Sequence, residues 1–251
     1  MDVLDRLTRG ITPFLLITLA TPLTTAIGAG LGLGWLLPGL EALPAYALMV
    51  VALRQGRRSR AVAVMIWWAL CLALSGVCLT MLWPERAEAV ILNATAYRDE
   101  MRAWLSTGTG REATPSLFIP QHVLHAAVFA GLTLLSGGCL SIIMGAALMG
   151  YMSFFVGDLL LQCQGTAAWP VAILLAWNPW SMVRIVSFII LGVTLAEPLL
   201  SRLPGSWPEQ QGRGRWIAAA VAGLLVDILM KAVLAPVWPA LLAGCLSSAT
   251  R

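Results

Sequence analysis

The sequence predicts an all-α polytopic integral membrane protein. It has about seven transmembrane helices, six to eight depending on whether residues 38–53 and 167–179 span fully, and an amphipathic helix on its outer face. Three observations lead there. The 251 residues are 59% hydrophobic and only 11% charged, where a soluble domain carries about 25% charged residues. Apolar runs of about 20 residues, the length that crosses a hydrocarbon core, recur along the whole chain. Between those runs, arginines gather in short loops, the pattern that sets membrane orientation.

A short polar start, residues 1–10, precedes a first span from Ile11 to about Leu37. This span holds two interleaved G-x-x-x-G pairs, Gly28/Gly32 and Gly30/Gly34, which let a neighbouring helix approach closely. No Lys-Ser/Thr follows the glycines and no strand precedes them, so they are not a phosphate loop. Pro38 to Pro44 reads as a break, leaving Ala45 to Leu53 as a short second span. Arg54, Arg57, Arg58 and Arg60 then form the densest basic loop, which places it in the cytoplasm. Ala61 to Trp83 is the third span, ending at Pro84.

Residues 84–116 are the one sizeable extramembrane segment. Within 86–105, Val90, Ala94, Tyr97, Met101 and Trp104 recur at helical spacing, while Glu88, Thr95, Asp99 and Arg102 lie off that stripe. This is an amphipathic helix that lies on the membrane, on a partner or on the protein's own spans. Leu117 to Ser136 is the fourth span, Gly137-Gly138 a tight turn, and Cys139 to Leu161 the fifth. The fifth carries Ser141/Gly145 and Ala146/Gly150, small-residue pairs suited to a central helix.

Pro170, Asn178 and Pro179 divide residues 167–200 into a half-span or interfacial segment, Trp169 to Trp177, and a sixth span, Trp180 to Leu200. Trp177 and Trp180 suit an interfacial belt. After a polar loop, Trp216 to Leu234 is the seventh span, ended or kinked by Pro236 and Pro239. With the N-terminus inside, nine arginines (6, 9, 54, 57, 58, 60, 202, 213, 215) fall in the cytoplasm and five (86, 98, 102, 111, 251) outside. The expectation is a single membrane domain over residues 1–251 in the cell membrane, of bacterial inner-membrane type.

The spans carry charges that need a reason, because one at mid-membrane costs about 2.5–3.5 kcal/mol on insertion scales. Asp227 and Lys231, the chain's one lysine, sit i, i+4 on the last span. They face one side, with the acid first, the favourable order. At a rise of about 1.5 Å per residue, Asp227 is roughly 17 Å and Lys231 roughly 23 Å from the cytoplasmic start of that helix. Gln121, His122, His125, Asp158 and Arg184 fall in the same outer half. We read Asp227, Lys231, His122, His125, Asp158 and Arg184 as an ion, proton or substrate path, with Asp227–Lys231 and Asp158–Arg184 as pairs. The two histidines, i and i+3, have no third His/Cys-type ligand nearby, so no metal is assigned. The five cysteines are scattered without a C-x-x-C and read as small buried hydrophobes.

Three function classes remain. The first is a transport-related, permease-like subunit driven by an ion gradient or a partner chain, since broken spans line cavities in such proteins. The second is a non-catalytic subunit of a larger membrane complex. The third is a membrane-embedded enzyme acting on lipid or quinone, with His122 or His125 as acid/base. No G-x-S-x-G, H-E-x-x-H or phosphate-loop motif occurs, and no catalytic residue or cofactor is assigned. The partners implied are the bilayer and other membrane subunits or further copies of the chain. Nucleic acid is excluded, because every basic cluster is flanked by spans.

Overall fold

A computed structural model describes residues 10–164, 169–204, 207–208 and 211–247, with side chains to residue 242. The polar N-terminal start with Arg6 and Arg9, part of the loop before Arg213, Cys245 as a side chain, and Arg251 lie outside the described residues. All regular structure within them is helical: α1 (Thr12–Leu31), α2 (Leu37–Arg54), α3 (Arg58–Leu82), α4 (Pro84–Val90), α5 (Ala94–Thr107), α6 (Pro115–Ser136), α7 (Cys139–Cys163), α8 (Trp169–Ala176), α9 (Pro179–Leu200), α10 (Arg213–Leu234) and α11 (Trp238–Ser247). Seven segments are long and apolar enough to span: α1, α2, α3, α6, α7, α8 with α9, and α10. The chain is an all-α polytopic membrane protein.

Proline placement explains where the boundaries differ from the sequence reading. α2 starts at Leu37 and runs through Pro44, giving 18 residues instead of a broken nine. Pro38 lies in its first turn, where an N–H has no intrahelical acceptor to lose. The last span likewise stops at Leu234, and the chain starts again at α11 after the Pro236 turn.

A central group of helices is surrounded by peripheral ones. Half or more of the residues in the apolar windows of α2, α3 and α8–α9 are buried, and 44% in α7, against 22% in α6 and 17% in α10. The first core cluster joins α2, α3, α7 and α9 through residues such as Met49, Met65, Trp68, Met149 and Val193. Lipid tails offer helices no hydrophobic incentive to associate, so close contact depends on small residues and polar groups. At the α3–α7 crossing these alternate: a Cβ on Gly76 would stand 2.7 Å from the Ser153 Cβ, and one on Gly157 2.6 Å from the Thr80 Cβ. α7 is therefore a packing helix, as its small residues predict. Its close approach lies at Gly157, whereas a Cβ on Gly145 meets nothing within 4 Å. On α1 the tight position is Gly28, against Leu37, and Gly30 is open.

One face carries a cap layer. The predicted amphipathic helix is two, α4 and α5, separated at Asn93, whose backbone is left-handed with φ 61°. The predicted stripe is nevertheless the buried one: Val90, Ala94, Met101 and Trp104 are at most 2% exposed. It packs on the protein's own spans. Met101 and Trp104 join Phe155, Leu159 and Trp180 in a second core cluster, and Tyr97 stacks on Tyr151 at 4.5 Å. Trp180, expected in an interfacial belt, is fully buried there, edge-on to Trp104 and Trp238. α8 and α11 complete this layer. Of the cysteines, Cys163 is buried, but Cys71 and Cys139 are half-buried and Cys78 is exposed at the bundle's outer surface.

Candidate functional site

The site is built where α6, α7 and α9 diverge beneath the cap layer. α10 presents Asp227 and Lys231 to the bundle, and these are two of only three buried residues on that helix, with Ala220. Asp227 is fully buried, yet its partner is across the helix interface: Arg184 Nε donates to Oδ2 at 3.0 Å and Nη2 to Oδ1 at 3.1 Å. Such a forked arrangement orients both side chains as well as joining them. Lys231 reaches the other way. Its Nζ lies 2.8 Å from Glu112 Oε2, on the segment after α5, and 4.9 Å from the centre of the Phe118 ring.

The expected Asp227–Lys231 pair is thus not the contact made. The two share a face, as i, i+4 spacing requires, but each is neutralised by a different element. The expected Asp158–Arg184 pair is also replaced. Asp158 accepts from Arg102 Nη2 at 2.7 and 2.9 Å and from Gln162 at 2.9 Å. It lines a separate cleft of about 240 Å³ between α5 and α7. Arg184 was unavailable to it because the spacing on α9 aims that guanidinium at α10.

His122 joins the cluster. Its Nδ1 lies 2.8 Å from the Phe118 carbonyl oxygen. A carbonyl only accepts, so Nδ1 carries a proton. Nε2 is buried, has no hydrogen-bond partner among the described residues, and stands 3.6 Å from Asp227 Oδ2. A second proton on Nε2 makes that approach an ion pair; without it a lone pair faces a carboxylate oxygen. The three side chains thus place an imidazole ring against a buried, paired carboxylate.

Gln121, His122, His125, Glu112, Tyr97 and Arg184 all line one partly open cavity of about 130 Å³. Tyr151 lines it beside them, and Met49, Met65, Trp68 and Met149 continue it toward the opposite face. Desolvation pushes the Tyr97 hydroxyl well above the ordinary tyrosine range, with Glu112 and Tyr151 adding and Arg184 opposing. It remains a neutral hydroxyl that can donate. Among the described residues no three His, Cys, Asp or Glu side chains stand close enough together to hold a metal ion.

Three polar positions were missed in the sequence. Glu112 lies in the extramembrane segment with nothing in the sequence to single it out, and only the fold brings it to Lys231. Arg58 looked like an orientation signal, but it is buried and forms a two-pronged pair with Glu197, including Nη2 to Oε2 at 2.6 Å. Glu41, in the segment read as a turn, is 4% exposed and accepts from Thr25 at 2.8 Å. A lone acid inside an apolar run was the available signal for it. No protein-family model, curated protein or solved structure matches this chain.

Proposed function

We propose that this chain is a transport-related, permease-like membrane protein, acting alone or as a subunit, with the cavity between α6, α7 and α9 as its substrate site. The cap layer lies on the outer side in this proposal, with the arginine-rich loops in the cytoplasm. One observation carries the reading: a buried charge network borders a cavity instead of packed side chains. A purely structural ion pair needs no adjoining space. Here Arg184 keeps 22% of its side chain accessible and lines the cavity. Ionisable groups inside a span mark pathways and proton relays when they face such a space.

The test is chemical access. In a background with all five cysteines replaced by alanine, Gln121→Cys and Met152→Cys should react with a charged, membrane-impermeant maleimide added to intact cells. Leu135→Cys, on the surface of α6 that is 80% exposed at that residue, should stay unreactive in the bilayer. If Gln121→Cys and Met152→Cys react only after denaturation, the network is a structural brace, and the reading as a non-catalytic subunit takes its place.

A further inference from the structure

We infer that the cavity takes a single-chain amphiphile with an uncharged, hydrogen-bonding head, the head beside Arg184 under the cap layer and the chain lying along α7 toward Gly138. This rests on the cavity being a ligand site and adds what the ligand is.

The polarity of the walls runs one way. Tyr97, Gln121, His125, Tyr151 and Arg184 cluster at the cap end. Toward Gly138, thirteen residues down α7 from Tyr151 and about 20 Å away at the helical rise, the wall is Met49, Met65, Ile142, Val193 and the bare backbone of Gly138, and the Ser141 hydroxyl there already donates to the Gly138 carbonyl. Largely apolar space of this kind favours a hydrocarbon chain over a hydrophilic solute, for which the engaged Ser141 hydroxyl alone would be a poor partner. At about 10–15 Å³ per water on this measure, the space equals roughly ten waters, the low end of ligand pockets. Methionine walls suit such an occupant, because their flexible thioethers adapt to a chain of variable shape. Gly145 lines the slot at mid-length and has nothing within 4 Å of where a Cβ would be, so the backbone itself forms part of the wall.

The charge at the cap end selects the head. Arg184 and Lys231 are matched by Asp227 and Glu112, so the local sum is zero. A phosphate would bring its charge beside two carboxylates with no free cation to meet it. A carbonyl or hydroxyl head meets no such penalty. Arg184 uses two N–H groups on Asp227, leaving three of its five. Among the described residues the Tyr151 hydroxyl, the Gln121 amide and the His125 ring have no hydrogen-bond partner of their own. Quinones and acylglycerols both supply this chemistry: an uncharged oxygen head and one long apolar chain.

The experiment uses Trp68, which lines the apolar end, as the reporter in detergent-purified full-length protein. The probes are a benzoquinone with a ten-carbon chain, a monoacylglycerol brominated on its chain, and a brominated phosphatidic acid with one chain. Quenching is read as the difference between wild type and Trp68→Phe, which removes the signal of the other tryptophans. Either uncharged probe, or both, should quench Trp68 saturably, and which of them does so distinguishes a quinone source from an acylglycerol source. The phosphatidic acid should bind at least ten-fold more weakly. Gly145→Phe should abolish saturable quenching, and Gly145→Ala should retain it. Both variants are checked for a monodisperse elution, and if Gly145→Phe aggregates, Gly145→Leu replaces it.

Equal binding of the phosphate-headed probe, or binding indifferent to Gly145→Phe, overturns the inference. Maleimide access with none of the three probes binding also overturns it while the substrate-site reading stands. Absence of both access and binding removes the two together.

Discussion

Replacing Asp227 by Asn tests the centre of this structure. Asparagine keeps the shape and one acceptor oxygen but removes the charge that faces Arg184 at 3.0 and 3.1 Å. Breaking a buried ion pair by removing one partner typically costs about 3–5 kcal/mol. Hydrogen bonds between helices in bilayers average only about 0.6 kcal/mol. The value here should fall between them. Asp227 has no exposure, but Arg184 is 22% accessible and can recover part of its solvation from the cavity. We expect about 2–3 kcal/mol, or roughly 30- to 140-fold in the folding equilibrium at about 1.4 kcal/mol per factor of ten. Arg184→Met combined with Asp227→Asn should return to within about 1 kcal/mol of wild type, because no buried charge is left unpaired. The assay is a double-mutant cycle on reversible unfolding in mixed micelles. The cycle for Asp227 with Lys231 should be close to additive, since those two meet different partners. Strong coupling in that cycle, with additivity between Asp227 and Arg184, would refute the geometry and restore the simpler i, i+4 pair.

Further outcomes follow from other parts of the fold. Gly76→Leu or Gly157→Leu should prevent close approach of α3 and α7 and abolish folded protein, whereas Gly30→Leu, with open space around it, should elute like wild type in gel filtration. Trp104→Ala should remove the centre of the cap cluster at a cost of about 3–5 kcal/mol, read as faster hydrogen exchange in α5 than in α3. Reporter fusions after Arg60 and Arg215 should signal cytoplasm and a fusion at Gly108 the outside. An outside signal at Arg60 would invert the proposed orientation, though not the fold.

The spans were legible in the sequence because the bilayer demands a long apolar run whatever its neighbours are. So was the stripe on α5, where Met101 and Trp104 are 1% exposed as their spacing implies. The partners of the charges were not legible. Spacing along α10 says that Asp227 and Lys231 share a face, but not that α9 crosses opposite one and the Glu112 segment opposite the other. The glycines show the same limit. A G-x-x-x-G pattern marks helix faces that can approach, yet which glycine is at the crossing depends on where the axes meet, and that selected Gly28 and Gly157 over Gly30 and Gly145. The pairing of Arg58 was not legible either, because loop arginines and buried arginines have one signature, and only Glu197 on another span distinguishes them.

α10 raises a problem that the charges resolve. It buries only Ala220, Asp227 and Lys231, too little for shape to fix its register against α9. Three contacts fix it instead. Arg213 Nε lies 3.5 Å from Glu197 Oε2 at one end, Asp227 meets Arg184 at the other, and Gly223 between them receives Ser187. From 184 to 197 on α9 is 13 residues and from 213 to 227 on α10 is 14, so at about 1.5 Å per residue the two rulers measure roughly 20 and 21 Å. They match only in one antiparallel alignment; a slip of one turn, about 5.4 Å, separates both pairs at once. Exchanging the charges, Arg184→Asp with Asp227→Arg, keeps the ruler and should retain a folded α9–α10 pair, read as cross-linking between cysteines introduced at Ser187 and Gly223. Arg184→Asp alone places two carboxylates together and should lose it. Retention of the cross-link in the single variant as well as in the exchanged protein would show that the register does not come from the Arg184–Asp227 pair.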